Sequence, residues 1–210
     1  MPSRRPAGAN VWHEVLRSFN AEQTVMGMPQ ASSQWTADRV RNLPDDGKRY
    51  ELVSGELVVT PAPRPVHQMA LAALYDSIAP YLAETGIGRV LWSPADLSLG
   101  EDEVLQPDLF VFPGETPRRW SDIAHLLLVI EVTSPSTARY DRQLKRRRYQ
   151  RGGVQEYWVV DLDSRLVERW RPDDARPEIL DERLWWQPDP DAAPLEIDLV
   201  ALFDRACGPP

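Results

Sequence analysis

One cysteine and three histidines stand in a chain of 210 residues. So few thiolate and imidazole ligands exclude an internal disulfide framework and leave no donor set for a structural zinc site. No apolar run reaches the roughly 18 residues that a membrane-spanning helix needs, and the first 34 residues carry no apolar segment of signal-peptide type. The expectation is a cytoplasmic protein with no membrane partner. Positive charge is in short supply as well: 24 Lys and Arg against 32 Asp and Glu leave a net charge of −8. That excludes indiscriminate coating of nucleic acid by a broadly basic surface, though not a local basic patch. Repeats and low-complexity tracts are absent. Proline is abundant at 20 residues, mostly near the termini and between apolar runs, where it punctuates the chain.

The length suits one domain with a substantial core and an arm. Residues 1–34 read as an arm or linker, partly helical around Asn10 to Phe19. Residues 35–205 read as the domain and 206–210 as a tail. Thr36 is placed to cap a short helix ending before Pro44-Asp45-Asp46-Gly47. Tyr50 to Val53 and Glu56 to Thr60 form a hairpin signal around Ser54-Gly55, with Glu51 and Glu56 expected as edge acids facing water. Val66 to Glu84 has a helical apolar period, with Pro80 expected to bend or end it early and Gly86 as a stop. His67 sits one turn ahead of Leu71 on the apolar face, the usual place of a hydrogen-bonded core or cap histidine. Arg89 to Trp92, Ala95 to Leu99 and Val104 to Phe112 read as strands. Val154 to Val160 and Leu166 to Arg171 read as a hairpin. Trp185-Trp186 is expected in the core.

The chain is organised around Leu126 to Arg151. Leu126 to Val132 is a near-continuous apolar run, the pattern of a strand covered on both faces, and its one ionisable residue is Glu131. A carboxylate taken out of water needs a cation, donors or a raised pKa. Asp108, before Leu-Phe-Val-Phe, poses the same problem. Ser134-Pro135-Ser136-Thr137 is a helix-start signal, and the helix that follows carries Arg139, Arg142, Lys145, Arg146, Arg147, Arg148 and Arg151 against one acid, Asp141. If Asp108 and Glu131 end side by side on adjacent strands, they offer Mg²⁺ or Mn²⁺ the oxygen ligands such ions prefer, next to a polyanion held by arginines. Lys145 is the candidate ammonium, about 12 Å along the helix. It reaches the acids only if the helix folds back across the sheet. Asp141, Lys145 and Tyr149 share one stripe, which an ordinary surface pair beside a half-buried Tyr would also produce.

The segments Tyr50 to Leu57, Pro63 to His67, Pro107-Asp108, Val129 to Thr137, Asp141 with Lys145 and Tyr149, and Gly153 to Asp161 together resemble the Uma family of putative restriction endonucleases, within the PD-(D/E)XK nuclease superfamily. The likeness runs from about Trp35 to about Phe203. It implies an α/β (α+β) fold with a restriction-endonuclease-like core, a mixed central β-sheet flanked by helices. It implies metal-dependent hydrolysis of DNA phosphodiester bonds, with Asp108 and Glu131 as ligands to Mg²⁺ (or Mn²⁺), Lys145 as a displaced catalytic lysine and Glu56 as a further acid. Arg142, Arg146, Arg147 and Arg148 are the expected nucleic-acid contacts, and His67 and Tyr149 the expected accessories. The pattern is broken at one point: the lysine usual two residues after the acid is Thr133 here. A catalytically silent nuclease-fold module that binds nucleic acid or a protein is the alternative reading. Homodimerisation would suit the cutting of two strands.

Overall fold

Leu128–Thr133 (β5) is buried at every position, as its unbroken apolar run predicts, and sits inside a six-stranded sheet. The computed structural model describes residues 35–60 and 62–209. The expected arm, residues 1–34, lies outside the described residues. The sheet order is β3 (Gly88–Trp92), β4 (Leu109–Pro113), β5, β6 (Glu156–Asp161), β7 (Leu166–Trp170), β8 (Glu178–Leu180). Only β5 and β6 run parallel; every other neighbouring pair is antiparallel. A parallel pair needs a crossover, and the basic helix supplies it. That helix, α3, comprises a π-helical stretch Tyr140–Lys145 and an α-helical stretch Arg146–Arg151.

Strand alternation divides the core between the two sheet faces. Leu109, Val111, Leu128, Ile130, Trp158 and Val160 pack on one side, under α2 (Pro65–Thr85) and α4 (Leu199–Cys207). Phe110, Phe112, Val129, Tyr157 and Val159 face the other side, where Tyr149 of α3 packs. The central mixed sheet flanked by helices is the fold class read from the sequence.

Thr36 caps α1 (Ala37–Arg41), its hydroxyl accepting from Arg39 N. The hairpin of β1 (Arg49–Val53) and β2 (Glu56–Thr60) turns through Ser54 at φ 52° and Gly55 at φ 84°, a two-residue connection that needs both positive. Pro80 does not end α2. It is exposed, and the helix runs to Thr85, where Gly86 at φ 69° donates to Leu82 O. A missing amide donor on the water-facing side is the cheapest place to lose one. Two expected strands also shrink. Leu97 and Leu105 form only an isolated bridge, as do Leu52 and Val104, and β4 begins at Leu109, because Pro107 cannot donate to a ladder. β9 (Arg183–Trp186) pairs with β10 (Leu195–Asp198), and its alternation splits the paired tryptophans: Trp186 is buried and Trp185 exposed. Among the described residues no helix is long and apolar enough to cross a membrane.

Candidate active site

The last β4–β5 pair is Leu109 opposite Ile130, so one step further along the register Asp108 falls opposite Glu131. There the strands part. Val132 N, with no β4 carbonyl to bond, donates instead to Asp108 Oδ2 at 2.9 Å. Asp108 and Glu131 each lie two residues from a side chain of the α3-side core, Phe110 and Val129, and therefore share that side of the pleat. Both line one pocket of about 60 Å³, with Arg49, His67, Asp141 and Lys145 among its other walls. A cavity holds a water from about 10–15 Å³ upward, so this one has room for a small ion with part of its hydration.

Helix α3 delivers the ammonium. Ser134 N donates to the Thr137 hydroxyl and Thr137 N to Ser134 O, which starts the turn. Over Tyr140–Lys145 the winding is wide, with Arg146 N donating to Asp141 O. Such widened turns recur at functional sites because they re-aim side chains without ending the helix. Here Asp141, Lys145 and Tyr149 all point inward and are buried. Lys145 Nζ lies 2.7 Å from Glu51 Oε2, 3.0 Å from Glu131 Oε1 and 3.8 Å from Asp141 Oδ1. The Tyr149 hydroxyl donates to Glu131 Oε1 at 3.3 Å. The helix does fold back across the sheet, and Asp141–Lys145 is no surface pair.

Asp108 has separate partners. Its Oδ1 accepts from Arg49 Nη1 at 2.6 Å and its Oδ2 lies 3.0 Å from His67 Nε2. Burial alone would raise the Asp108 carboxyl, but the hydrogen bond and charge of His67, with Arg49 and Lys145, outweigh it and hold the group well below the usual carboxylate range. Glu131 goes the other way. Burial raises it well above its ordinary value, against the attraction of Lys145, and Asp108, Asp141 and Glu51 push it further up. For Lys145 burial acts downward, yet Glu131, Glu51, Asp141 and Asp108 overcome it and drive the ammonium above its ordinary value. Two adjacent carboxyls with pKa values forced apart, beside a cation, mark a candidate functional site.

Glu51 was expected at the water-facing edge and is instead fully buried, its Oε1 accepting from Gln106 N at 2.8 Å. The signal was present: Tyr50, Leu52 and Val53 make β1 apolar on both faces, so an acid between them has no wet side. Glu56 does not reach the cluster. It shares the Glu51 face of the hairpin but pairs with Val53 at the turn end, two positions further along, and is exposed. The extra acid beside Lys145 is therefore Glu51. Three of the four arginines expected to hold nucleic acid are half-buried and engaged by other protein groups. Arg142 donates to Asp161 Oδ2 at 2.7 Å and Glu168 Oε1 at 2.5 Å, Arg146 stacks on Trp170 at 4.5 Å, and Arg148 pairs with Glu103. Of the four, only Arg147 is exposed.

Among the described residues no three His, Cys, Asp or Glu side chains converge as a ready-made metal cage. Each carboxylate is turned towards an amine, a guanidinium or an imidazole. The donor set nevertheless fits a hard divalent ion. Glu51, Asp108, Glu131 and Asp141 are four buried acids around two permanent cations, Lys145 and Arg49, and Mg²⁺ is commonly held by one or two such carboxylates plus water and substrate oxygen.

A solved structure of a putative nuclease belonging to DUF820, from Anabaena variabilis, has the same fold, with a TM-score of 0.64 at 21% identity over 81% of this chain and 98% of that one. No curated protein matches the sequence. Residues 37–200 match the model of the Uma2 family, described as "Putative restriction endonuclease". That span covers both parting strands, the hairpin that carries Glu51 and the whole of α3, and the chain belongs to the Uma2 family.

Proposed function

We propose that this chain is a divalent-metal-dependent endonuclease that hydrolyses DNA phosphodiester bonds. The observation that carries the reading is the placement of Asp108 and Glu131 side by side where β4 and β5 part, with Lys145 Nζ 3.0 Å from Glu131. Asp108 and Glu131 would hold the ion, and Glu51 is close enough to Lys145 to take part in the same charge balance. When bound, Mg²⁺ or Mn²⁺ would polarise the phosphodiester and lower the pKa of a coordinated water.

The protein groups have distinct tasks. Lys145 neutralises the buried carboxylates and presents an ammonium to the charge that develops on phosphate oxygens. Its own elevated pKa keeps it charged, so it acts as an electrostatic group and not as a proton acceptor. Arg49 and His67 fix the Asp108 carboxylate in one orientation, one on each oxygen. Tyr149 does the same for Glu131 from the helix side. In this reading the lysine's part falls to Lys145 on α3, since Thr133 stands where the superfamily's usual lysine would be.

The test is cleavage of supercoiled plasmid and of single-stranded DNA by the purified protein in Mg²⁺ and in Mn²⁺. Wild type should nick or cut, and Glu131→Gln should lose at least about 100-fold in rate while melting cooperatively, an effect of the size seen when one electrostatic group is removed. Cutting by Glu131→Gln at the wild-type rate, or no cutting of any DNA by wild type under either metal, would overturn the reading. In the second case the catalytically silent binding module is what remains.

A further inference from the structure

The arginines of α3 fall into two groups. Arg142, Arg146 and Arg148 are engaged by Asp161, Glu168, Trp170, Gln150 and Glu103. Arg139, Arg147 and Arg151 are exposed, and none has a hydrogen-bond or ion-pair partner among the described residues. With Gln143 they recur every four residues, which puts them on one line about 18 Å long at the 1.5 Å helical rise. Together with Tyr140, also exposed, they line a groove of about 410 Å³ whose opposite lip carries Ser54 and Glu56 of the hairpin.

Such a line does not help the fold. Arg147 and Arg151, four apart on a helix, repel by a few tenths of a kcal/mol. On a chain of net charge −8 it is a local reversal of sign. Its shape selects among anions: a lone phosphate would meet one arginine, whereas a nucleic-acid strand, with a phosphate per roughly 3.4 Å of helix axis, meets all three. Tyr140 adds a ring to the same groove, and Gln143 and Glu56 offer polar groups to sugar or base edges. The inward stripe of the same helix, Asp141 and Lys145, walls the candidate catalytic pocket. Only the helix's width of about 10–12 Å separates the two stripes, comparable to the roughly 12 Å major groove of B-DNA.

We propose that the outer stripe of α3, Arg139, Arg147 and Arg151, is the face that holds the phosphate backbone of the nucleic acid, in place of the half-buried arginines. The substrate class rests on the nuclease reading; the face itself rests on the unpaired cations. Binding of a fluorescein-labelled duplex is to be followed across a salt series in Ca²⁺. Each phosphate contact contributes about 0.9 to the slope of log K against log salt, so the triple variant Arg139→Gln, Arg147→Gln, Arg151→Gln should lower the slope by about 2.7. Lysine at the same three positions should restore it, and Arg89→Gln, exposed on the edge strand β3, should match wild type.

An unchanged slope in the triple glutamine variant overturns this face and leaves the nuclease reading intact. Tighter binding of polyglutamate than of the duplex also overturns it, in favour of an acidic peptide, as does a wild type that binds no nucleic acid. Cutting is scored separately. A wild type that binds with the full slope yet never cuts sinks the hydrolase reading and supports this face.

Discussion

Lys145 Nζ lies 2.7 Å from Glu51 Oε2, an ion pair between α3 and the β1–β2 hairpin whose side chains are 3% and 0% exposed. A buried pair of this kind is expensive to break from one side, because the partner left behind is an unpaired charge in a dry place, at about 3–5 kcal/mol.

Lys145→Met should therefore cost about 3–5 kcal/mol at neutral pH, and the cost should depend on pH in a definite direction. Without the ammonium, the carboxyl of Glu131, already raised, rises further. Above the ordinary carboxylate range the folded state then binds more protons than the unfolded one, and stability falls as pH rises through that window. Urea unfolding at pH 5 and pH 8 should show the deficit shrinking at the lower value. An equal deficit at both would mean that the acids are not coupled to the lysine.

The two hairpin acids should separate cleanly. Glu51→Gln should lose about 1–3 kcal/mol of stability, less than Lys145→Met because Lys145 keeps Glu131 and Asp141 as partners, while Glu56→Gln, at an exposed site, should stay within about 0.5 kcal/mol of wild type. Paired thermal melts decide it, and similar losses in both variants would contradict the buried placement of Glu51.

Metal binding should release protons. Burial and its acidic neighbours raise Glu131 well above its ordinary value, so it keeps its proton to higher pH than a free carboxyl and must give it up to act as a ligand. Mn²⁺ affinity should climb with pH and level off above the folded pKa of Glu131. Calorimetry in two buffers of different ionisation enthalpy measures the released proton directly. Identical heats in the two buffers would count against Glu131 as a ligand.

Arg142 and Arg146 should behave as structural residues. Arg142→Gln loses hydrogen bonds to Asp161 and Glu168 and should cost about 1.5–3 kcal/mol. Arg146→Gln gives up its place over Trp170, about 0.5–1 kcal/mol. Neither should alter the salt dependence of DNA binding, and a lowered slope in either variant would return that arginine to the binding face.

The sheet and the two acids at its fork were legible because each acid interrupts an apolar run, and an interrupted run has few physical explanations. Spacing alone left Lys145 open between a surface pair with Asp141 and a residue of the site, and the family likeness pointed to the second. Glu51 was misread although apolar neighbours flank it on both faces, since a two-stranded hairpin looks like an edge until Lys145 and Gln106, far along the chain, cover it. The arginines were misassigned for a related reason. A run of like charge suggests a solvated face, yet Asp161 and Glu168, which together hold Arg142, and Glu103, which holds Arg148, sit on other elements with no local sign of their reach.

The widened turn at Tyr140–Lys145 also decides how the helix answers a change in residue count. A hydrogen bond from i to i+5 takes in one residue more than the regular i to i+4, so deleting Gln143 would let regular winding absorb the loss and leave Lys145 facing the acids. A deletion among Arg146, Arg147 and Arg148 has no such slack and would swing the Tyr149 hydroxyl by about 100° away from Glu131. Tolerance of a shorter chain is thus confined to one turn of this helix, a property invisible to any comparison that scores residue identities alone.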